Sequence, residues 1–201
     1  MMKYREAYLK AFEQRCFQLI IEAYKTSLAE KIIQLSWNEN DISSEIHKHI
    51  RANPLRQKWK VSTNVEAHIS NERVPKEKGF ADKDSRIDFR LTSFISTYEY
   101  EYFFEAKNLK QKSSALKRRY ITTGIDNFVS GKYQNGSLVG YLLEGTVAET
   151  IKNGINPLLE KSKRNKEILE LKSHKLLNTI YESNHSDIGT LKHIFFDFTL
   201  I

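Results

Sequence analysis

An α/β fold, with a mixed central sheet flanked by helices and a helical extension at the N-terminus, is predicted by three features of the 201-residue chain. Apolar residues recur at spacings of three and four at the start, alternate with polar ones between residues 59 and 109, and then fall into helical and strand-like runs in turn. Helices interleaved with strands in this order bury their apolar faces by packing on a shared sheet. The length suits one ordinary domain with a substantial core, and residues 1–201 read as a single unit. Three prolines, eight glycines and no Gly/Ser-rich or Pro-rich stretch leave no place for a linker.

The first thirty residues place Tyr4, Tyr8, Phe12, Cys16, Leu19, Ile20 and Ala23 on one face of an amphipathic helix. A second helix is expected to start after Asn40 or Asp41, either of which can accept from free N–H groups of a first turn, and to run through Ile42, Ile46 and Ile50 until Pro54 stops it. Trp59, Val61, Thr63, Val65, Ala67 and Ile69 then alternate with polar residues, the pattern of a long half-buried strand. After a charged loop over 71–85, the runs 86–96 and 96–109 are rich in β-branched and aromatic residues and close enough to form an antiparallel hairpin. Residues 114–133 predict a helix with Leu116, Tyr120, Ile121, Ile125, Phe128 and Val129 on one side, closing at Gly131. A buried strand follows over 137–145, then helical stretches over 148–162, which Pro157 kinks, and 165–183, and a last strand over 192–201.

With 40% hydrophobic, 11% aromatic and 28% charged residues, the composition excludes disordered, fibrous and membrane classes. No apolar run approaches the roughly 20 residues that span a bilayer. The N-terminus lacks the uninterrupted apolar core of a signal peptide, so a cytoplasmic location is expected. Cys16 is the only cysteine, which rules out an intramolecular disulfide and a multi-cysteine zinc site. His47 and His49 lie two apart on a helix and diverge, and neither they nor His185, Asp187 and His193 compose a zinc ligand set. No Gly-rich phosphate loop, Gly-x-Ser-x-Gly elbow or dinucleotide fingerprint is present, so ATP-driven and hydride-transfer chemistry have no support. The net charge of +7 suggests a polyanionic partner, and its distribution is uneven.

Chemistry concentrates in the predicted hairpin. Asp88 lies in Arg86-Ile87-Asp88-Phe89-Arg90, and Glu105 and Lys107 lie in Phe103-Phe104-Glu105-Ala106-Lys107. Side chains two apart on a strand share a face, so Glu105 and Lys107 point together while Phe104 and Ala106 face the other layer. Pairing of the two runs can bring Asp88 and Glu105 to a shared cation, for which two carboxylates supply hard oxygen ligands. Residues 106–125 then carry Lys107, Lys110, Lys112, Lys117, Arg118 and Arg119 with no acidic residue, a stretch suited to phosphate contacts, with Tyr120 beside Arg119 as a further phosphate or site-ordering group. The Glu-x-Lys spacing recurs at Glu170 and Lys172 inside an apparent helix, where it reads as a solvated face, so the tripeptide needs its strand context.

Asp88 followed by Glu105-Ala106-Lys107 at the end of the next strand resembles the PD-(D/E)XK nuclease superfamily, although Ile87 stands where that family has proline. The resemblance covers roughly residues 38–141, which would form the catalytic core between an N-terminal helix (1–37) and C-terminal helices with a last strand (142–201). It implies a restriction-endonuclease-like fold, metal-dependent phosphodiester hydrolysis, and Mg²⁺ or Mn²⁺ held by Asp88, Glu105 and the main-chain carbonyl of Ala106. Lys107 would assist the attacking water. A carboxylate from the preceding helix would complete the site, with Glu45 preferred over Glu39 because it sits beside Ile46 and can face inward. The implied partner is nucleic acid, DNA before RNA, with no membrane, and a homodimer or a larger restriction or anti-phage defence complex would suit it. Two alternatives stay open: a catalytically inactive nucleic-acid-binding subunit of the same fold, and a protein-interaction or immunity partner.

Overall fold

Two amphipathic helices open the chain in the computed structural model, which describes residues 2–69, 85–95 and 98–200. The loop of 71–84 and the side chains of Tyr4, Ala67 and Ile69 lie outside the described residues. Helix α1 (Met2–Glu30) buries Phe12, Cys16, Leu19, Ile20 and Ala23. Helix α2 (Glu39–Ala52) buries Ile42, Ile46 and Ile50 at the spacing that stacks side chains on one helical face. Its start differs from the Asn40 or Asp41 cap expected from sequence. Asn38 caps the helix, accepting from Asp41 N at 3.0 Å while the Asp41 carboxylate accepts from Asn38 N at 3.2 Å. Glu39 is thereby placed in the first turn. Pro54 ends α2 and opens a short helix α3 (Pro54–Lys58), because its fixed φ and missing N–H suit a first turn.

The described strands are β1 (Val61–Ile69), β2 (Ser85–Ile95), β3 (Tyr98–Lys110), β4 (Gly136–Glu144), β5 (Glu170–Lys172), β6 (Ile180–His185) and β7 (Gly189–Asp197). They form one mixed sheet in the order β1-β2-β3-β4-β7-β6-β5. β3, β4 and β7 are parallel neighbours at its centre, and the outer pairs are antiparallel. β4 is buried along nearly its whole length, as a central parallel strand covered on both faces must be.

Alternation divides the core in two. Phe104, Ala106, Val139, Tyr141, Ile194 and Phe196 meet α1 and α2. Tyr24 fastens α1 there by stacking on Phe196, with ring centroids 4.3 Å apart, and by donating from its hydroxyl to Asp197 O at 3.0 Å. On the other face Phe103, Leu138, Leu142 and Phe195 meet two helical layers. One runs α4 (Ser114–Arg119), a π-helical turn over Tyr120–Ile125, and α5 (Asp126–Val129); the other runs α6 (Val147–Thr150), a π-helical turn over Ile151–Ile155, and α7 (Asn156–Lys161). The chain leaves α5 through Gly131 at φ +75°, close to the expected stop. Gly140 lies beside Lys107 in the β3–β4 register, and a Cβ there would stand 2.6 Å from Phe195 Cδ1.

The C-terminal third corrects the sequence reading. No helix forms over 165–183: a 3₁₀ turn (Asn165–Glu167) precedes β5 and β6, so Glu170 and Lys172 lie on a short edge strand. The leucines that mimic a helical stripe go to different places, Leu169 into the core of α6 and α7, Leu176 and Leu177 against the α1 side, and Leu171 to solvent. Backbone pairing of β6 with β7 from Ile180↔Ile194 to His185↔Gly189 decides the matter, since β7 would otherwise be an unpaired edge. The last strand starts at Gly189, before the expected Lys192, and stops at Asp197, whose carboxylate takes the Thr199 N–H at 3.0 Å and turns the chain.

A buried polar row crosses this region. Tyr120 Oη lies 2.9 Å from His193 Nδ1, His193 Nε2 lies 2.8 Å from Ser183 Oγ, Ser183 Oγ lies 2.7 Å from His185 Nε2, and His185 Nδ1 lies 2.7 Å from Glu167 Oε2. The first three contacts are hydrogen bonds, whereas His185 Nδ1 has no hydrogen-bond partner among the described residues and meets Glu167 only as an ion-pair neighbour. Ser183 is fully buried, so this serine, histidine and carboxylate row is closed to substrate. Burial pulls His193 down to about 3, with the His185 charge adding to the effect, and burial likewise lowers His185 despite Glu167. Both folded values lie below the ordinary imidazole value, so their contribution to stability is complete above about pH 6.5 and is lost as pH falls toward 3. We expect His193 to stay neutral at pH 5, read by ¹H–¹⁵N spectra of the imidazole. Tyr120→Phe, which orphans Nδ1, should cost about 1–3 kcal/mol in chemical unfolding.

Candidate active site

β2 and β3 are paired from Ile95↔Tyr98 as far as Phe89↔Phe104. There they part: β2 stays with β1 to Ser85↔Ile69, while β3 continues along β4 to Lys110. Phe103 N donates to Asn135 O, on the β4 side. Strand alternation then aims the N–H groups of Phe104, Ala106 and Asn108 at the β2 side. With β2 gone, Ala106 N and Asn108 N need other acceptors. Ala106 N donates to Asp88 Oδ2 at 2.7 Å, and Asn108 N donates to Glu39 Oε2 at 2.8 Å. Both carboxylates are thus pinned to the opening by main-chain donors.

Glu105 and Lys107, only 5% and 4% exposed, project beside them. Lys107 Nζ donates to Glu105 Oε1 at 2.5 Å and to Ala106 O at 2.8 Å, and lies 3.5 Å from Glu39 Oε1. Tyr133 donates to Glu105 Oε2 at 3.1 Å. Arg119 donates to Glu39 Oε1 at 2.9 Å and to Oε2 at 3.3 Å, and Asn108 Nδ2 donates to Trp37 O at 3.2 Å. A cleft of about 370 Å³ opens next to Glu39, lined among others by Trp37, Asn108, Lys110, Leu116 and Arg119.

Burial and the neighbouring Glu105 charge push Asp88 up to about 7, against the pull of Lys107 and of the Ala106 N–H. Burial raises Glu105 as well, although Lys107 and Tyr133 favour its charged form. Lys107 is pulled down by burial but held above its ordinary value by Glu105, Glu39 and Asp88. Two desolvated carboxylates and the carbonyl of Ala106 form a hard-oxygen donor set, and their raised protonation marks negative charge that a divalent cation would offset. The residues present therefore fit Mg²⁺ or Mn²⁺.

Of the residues expected from sequence, Asp88, Glu105, Ala106 and Lys107 are brought together. Glu45 is not: it bonds Lys48 at 2.8 Å and faces His49 and Glu30. Glu39 is the carboxylate of α2 that reaches the site, because the Asn38 cap sets its turn toward β3. The pairing of Asn38 with Asp41 three residues on is a readable capping signal that would have indicated this. Tyr120 is corrected too, since it is fully buried against His193 and cannot meet phosphate. Lys117 is half-buried, donating to Gln111 O at 2.7 Å. Lys112 and Arg118 are exposed, Lys110 is half-buried at the cleft, and Arg119 is half-exposed at its mouth. Tyr133, which the sequence reading did not single out for the site, also holds Glu105. No family model matches the chain, and no curated protein or solved structure is detectably similar to it.

Asp88 binds its proton more tightly folded than unfolded, so its contribution to stability is complete below about pH 4 and disappears as pH rises through 7. Asp88→Asn lacks that loss and keeps an acceptor for Ala106 N. We expect the variant to melt above wild type by a margin that opens between pH 4 and pH 7 and levels off by pH 8, read from thermal melts across that range.

Proposed function

We propose that this chain is a metal-dependent nuclease of restriction-endonuclease-like fold, similar to the PD-(D/E)XK superfamily, that hydrolyses phosphodiester bonds in DNA ahead of RNA. The observation that carries this reading is the convergence of Asp88, Glu105 and Lys107 where β2 leaves β3, with Asp88 poised between its charged and neutral forms. Asp88, Glu105 and the carbonyl of Ala106 would hold Mg²⁺ or Mn²⁺, which when bound supplies a more acidic water and offsets charge on the phosphate. Lys107 keeps its proton, so it serves as a donor to the water or to a phosphate oxygen and not as the base. Glu39 takes the role that sequence assigned to Glu45, orienting Lys107 from one side and Arg119 from the other. Lys110, Lys112, Arg118 and Arg119 form a basic rim for the sugar-phosphate backbone, giving salt-sensitive and largely sequence-independent affinity. A place in restriction or anti-phage defence, alone, as a homodimer or in a larger complex, follows by fold analogy.

A second reading, an inactive nucleic-acid-binding subunit, draws on one observation. Lys107 bonds two of the oxygens a cation would use, Glu105 Oε1 and Ala106 O, so the ammonium itself balances the charge there. Incubation with supercoiled and linear DNA, single-stranded DNA and RNA, in Mg²⁺, Mn²⁺ or EDTA, separates the readings. We expect wild type and Glu45→Gln to nick DNA with either metal, Glu105→Ala and Lys107→Ala to lose about 10²-fold or more, and Glu39→Gln to be slowed. Salt-dependent binding without cleavage would favour the inactive subunit; neither binding nor cleavage would favour an interaction or immunity partner.

A further inference from the structure

We propose a second metal site, independent of the β2–β3 opening, in which Glu30, Glu45 and His49 bind a divalent transition cation such as Zn²⁺ and staple α1 to α2. His49 Nε2 is buried and has no hydrogen-bond partner, while its side chain is 9% exposed. It is aimed at two carboxylates, with Glu45 Oε1 at 3.3 Å and Glu30 Oε2 at 3.5 Å. Two atoms each about 2.1 Å from a tetrahedral zinc stand about 3.4 Å apart, so these separations already match neighbouring ligands on one ion. One donor atom from each of the three residues lies within 4.8 Å of the others.

The sequence builds this cluster in two parts. Glu45 and His49 are four apart on α2, which puts them on one helical face, and Glu30 is the last residue of α1. An acidic side chain at a helix C-terminus faces the negative end of the helix dipole, where a cation beside it is stabilising. Lys48 bonds Glu45 Oε1 at 2.8 Å, but its side chain is 64% exposed and free to swing into water. One imidazole with two carboxylates suits zinc and its neighbours in the first transition row more than Mg²⁺, which prefers oxygen alone. The fourth position is left to water. Because α2 also carries Glu39, an ion here would stiffen the helix that reaches the cleft.

The test uses the full chain, freed of metal by a chelator and titrated with Zn²⁺ by calorimetry and with Co²⁺ by visible absorption. Wild type, Glu30→Gln, His49→Ala and Glu105→Gln are compared, with circular dichroism confirming their folds. Glu30→Gln alters an exposed side chain, so it reports binding even if His49→Ala fails to fold. We expect Zn²⁺ to bind wild type and Glu105→Gln alike at this site, to raise the melting temperature of both, and to bind at least tenfold more weakly to Glu30→Gln and His49→Ala. Zn²⁺ affinity and stoichiometry unchanged in Glu30→Gln would overturn the proposal. So would loss of the ion in Glu105→Gln alone, or no binding by wild type at 1 mM Zn²⁺, about the weakest affinity of interest.

Discussion

Two backbone N–H groups on one strand organise the candidate site. When β2 turns away after Phe89, Ala106 N and Asn108 N lose the carbonyls that an antiparallel neighbour would have offered. A buried donor left unpaired costs about 1–3 kcal/mol, and this chain meets both needs with carboxylates, Asp88 from β2 and Glu39 from α2. The sheet therefore draws acidic groups to its own opening. Their chemistry follows from a hydrogen-bonding debt of the main chain.

Bringing those carboxylates together creates an electrostatic conflict. Asp88 and Glu105 are both desolvated, and the Glu105 charge further disfavours the charged form of Asp88. Lys107 relieves part of the conflict from within, bonded to Glu105 and Ala106 O, and Arg119 relieves part at the rim through Glu39. Such a cluster is weak evidence for stability, because the cost of stripping water from buried charges rivals their attraction. It is better understood as pre-organised charge, held by β3, β4 and the caps of α2, and available to a cation or a phosphate. Tyr133, tethered to Glu105 and packed against Phe103 and Phe128, carries that order into the helical layer.

The polar row from Tyr120 to Glu167 shows the opposite solution. Tyr120, His193, Ser183 and His185 are as deeply buried, yet they are joined by hydrogen bonds and burial disfavours charge on both imidazoles. A hydrogen-bonded row of this kind specifies the packing of β6 and β7 under the π-helical turn. Contrast between the two clusters locates the chemistry: crowded carboxylate charge at the β2–β3 opening, neutral imidazoles across the sheet.

Much of this was legible in the residues alone. The spacing of Ile42, Ile46 and Ile50, the alternation through the hairpin and the aromatic run before Glu105 report burial directly, and burial is what makes a helix face or a strand. Asp88, Glu105 and Lys107 could be named because strand alternation puts their side chains on predictable faces. Glu39 could not be chosen over Glu45 by periodicity, since both lie on α2 and the choice depends on the Asn38 cap and on where β3 lacks a neighbour. Tyr120 reads as a phosphate or site-ordering group beside Arg119 until His193, 73 residues away, supplies its partner. Residues 165–183 carry leucines at helical intervals, and only the pairing of β6 with β7 makes them strands. Local pattern determined which segments bury apolar surface; contacts distant in sequence decided which polar groups meet, because a hydrogen bond needs both its ends and the sequence displays one at a time.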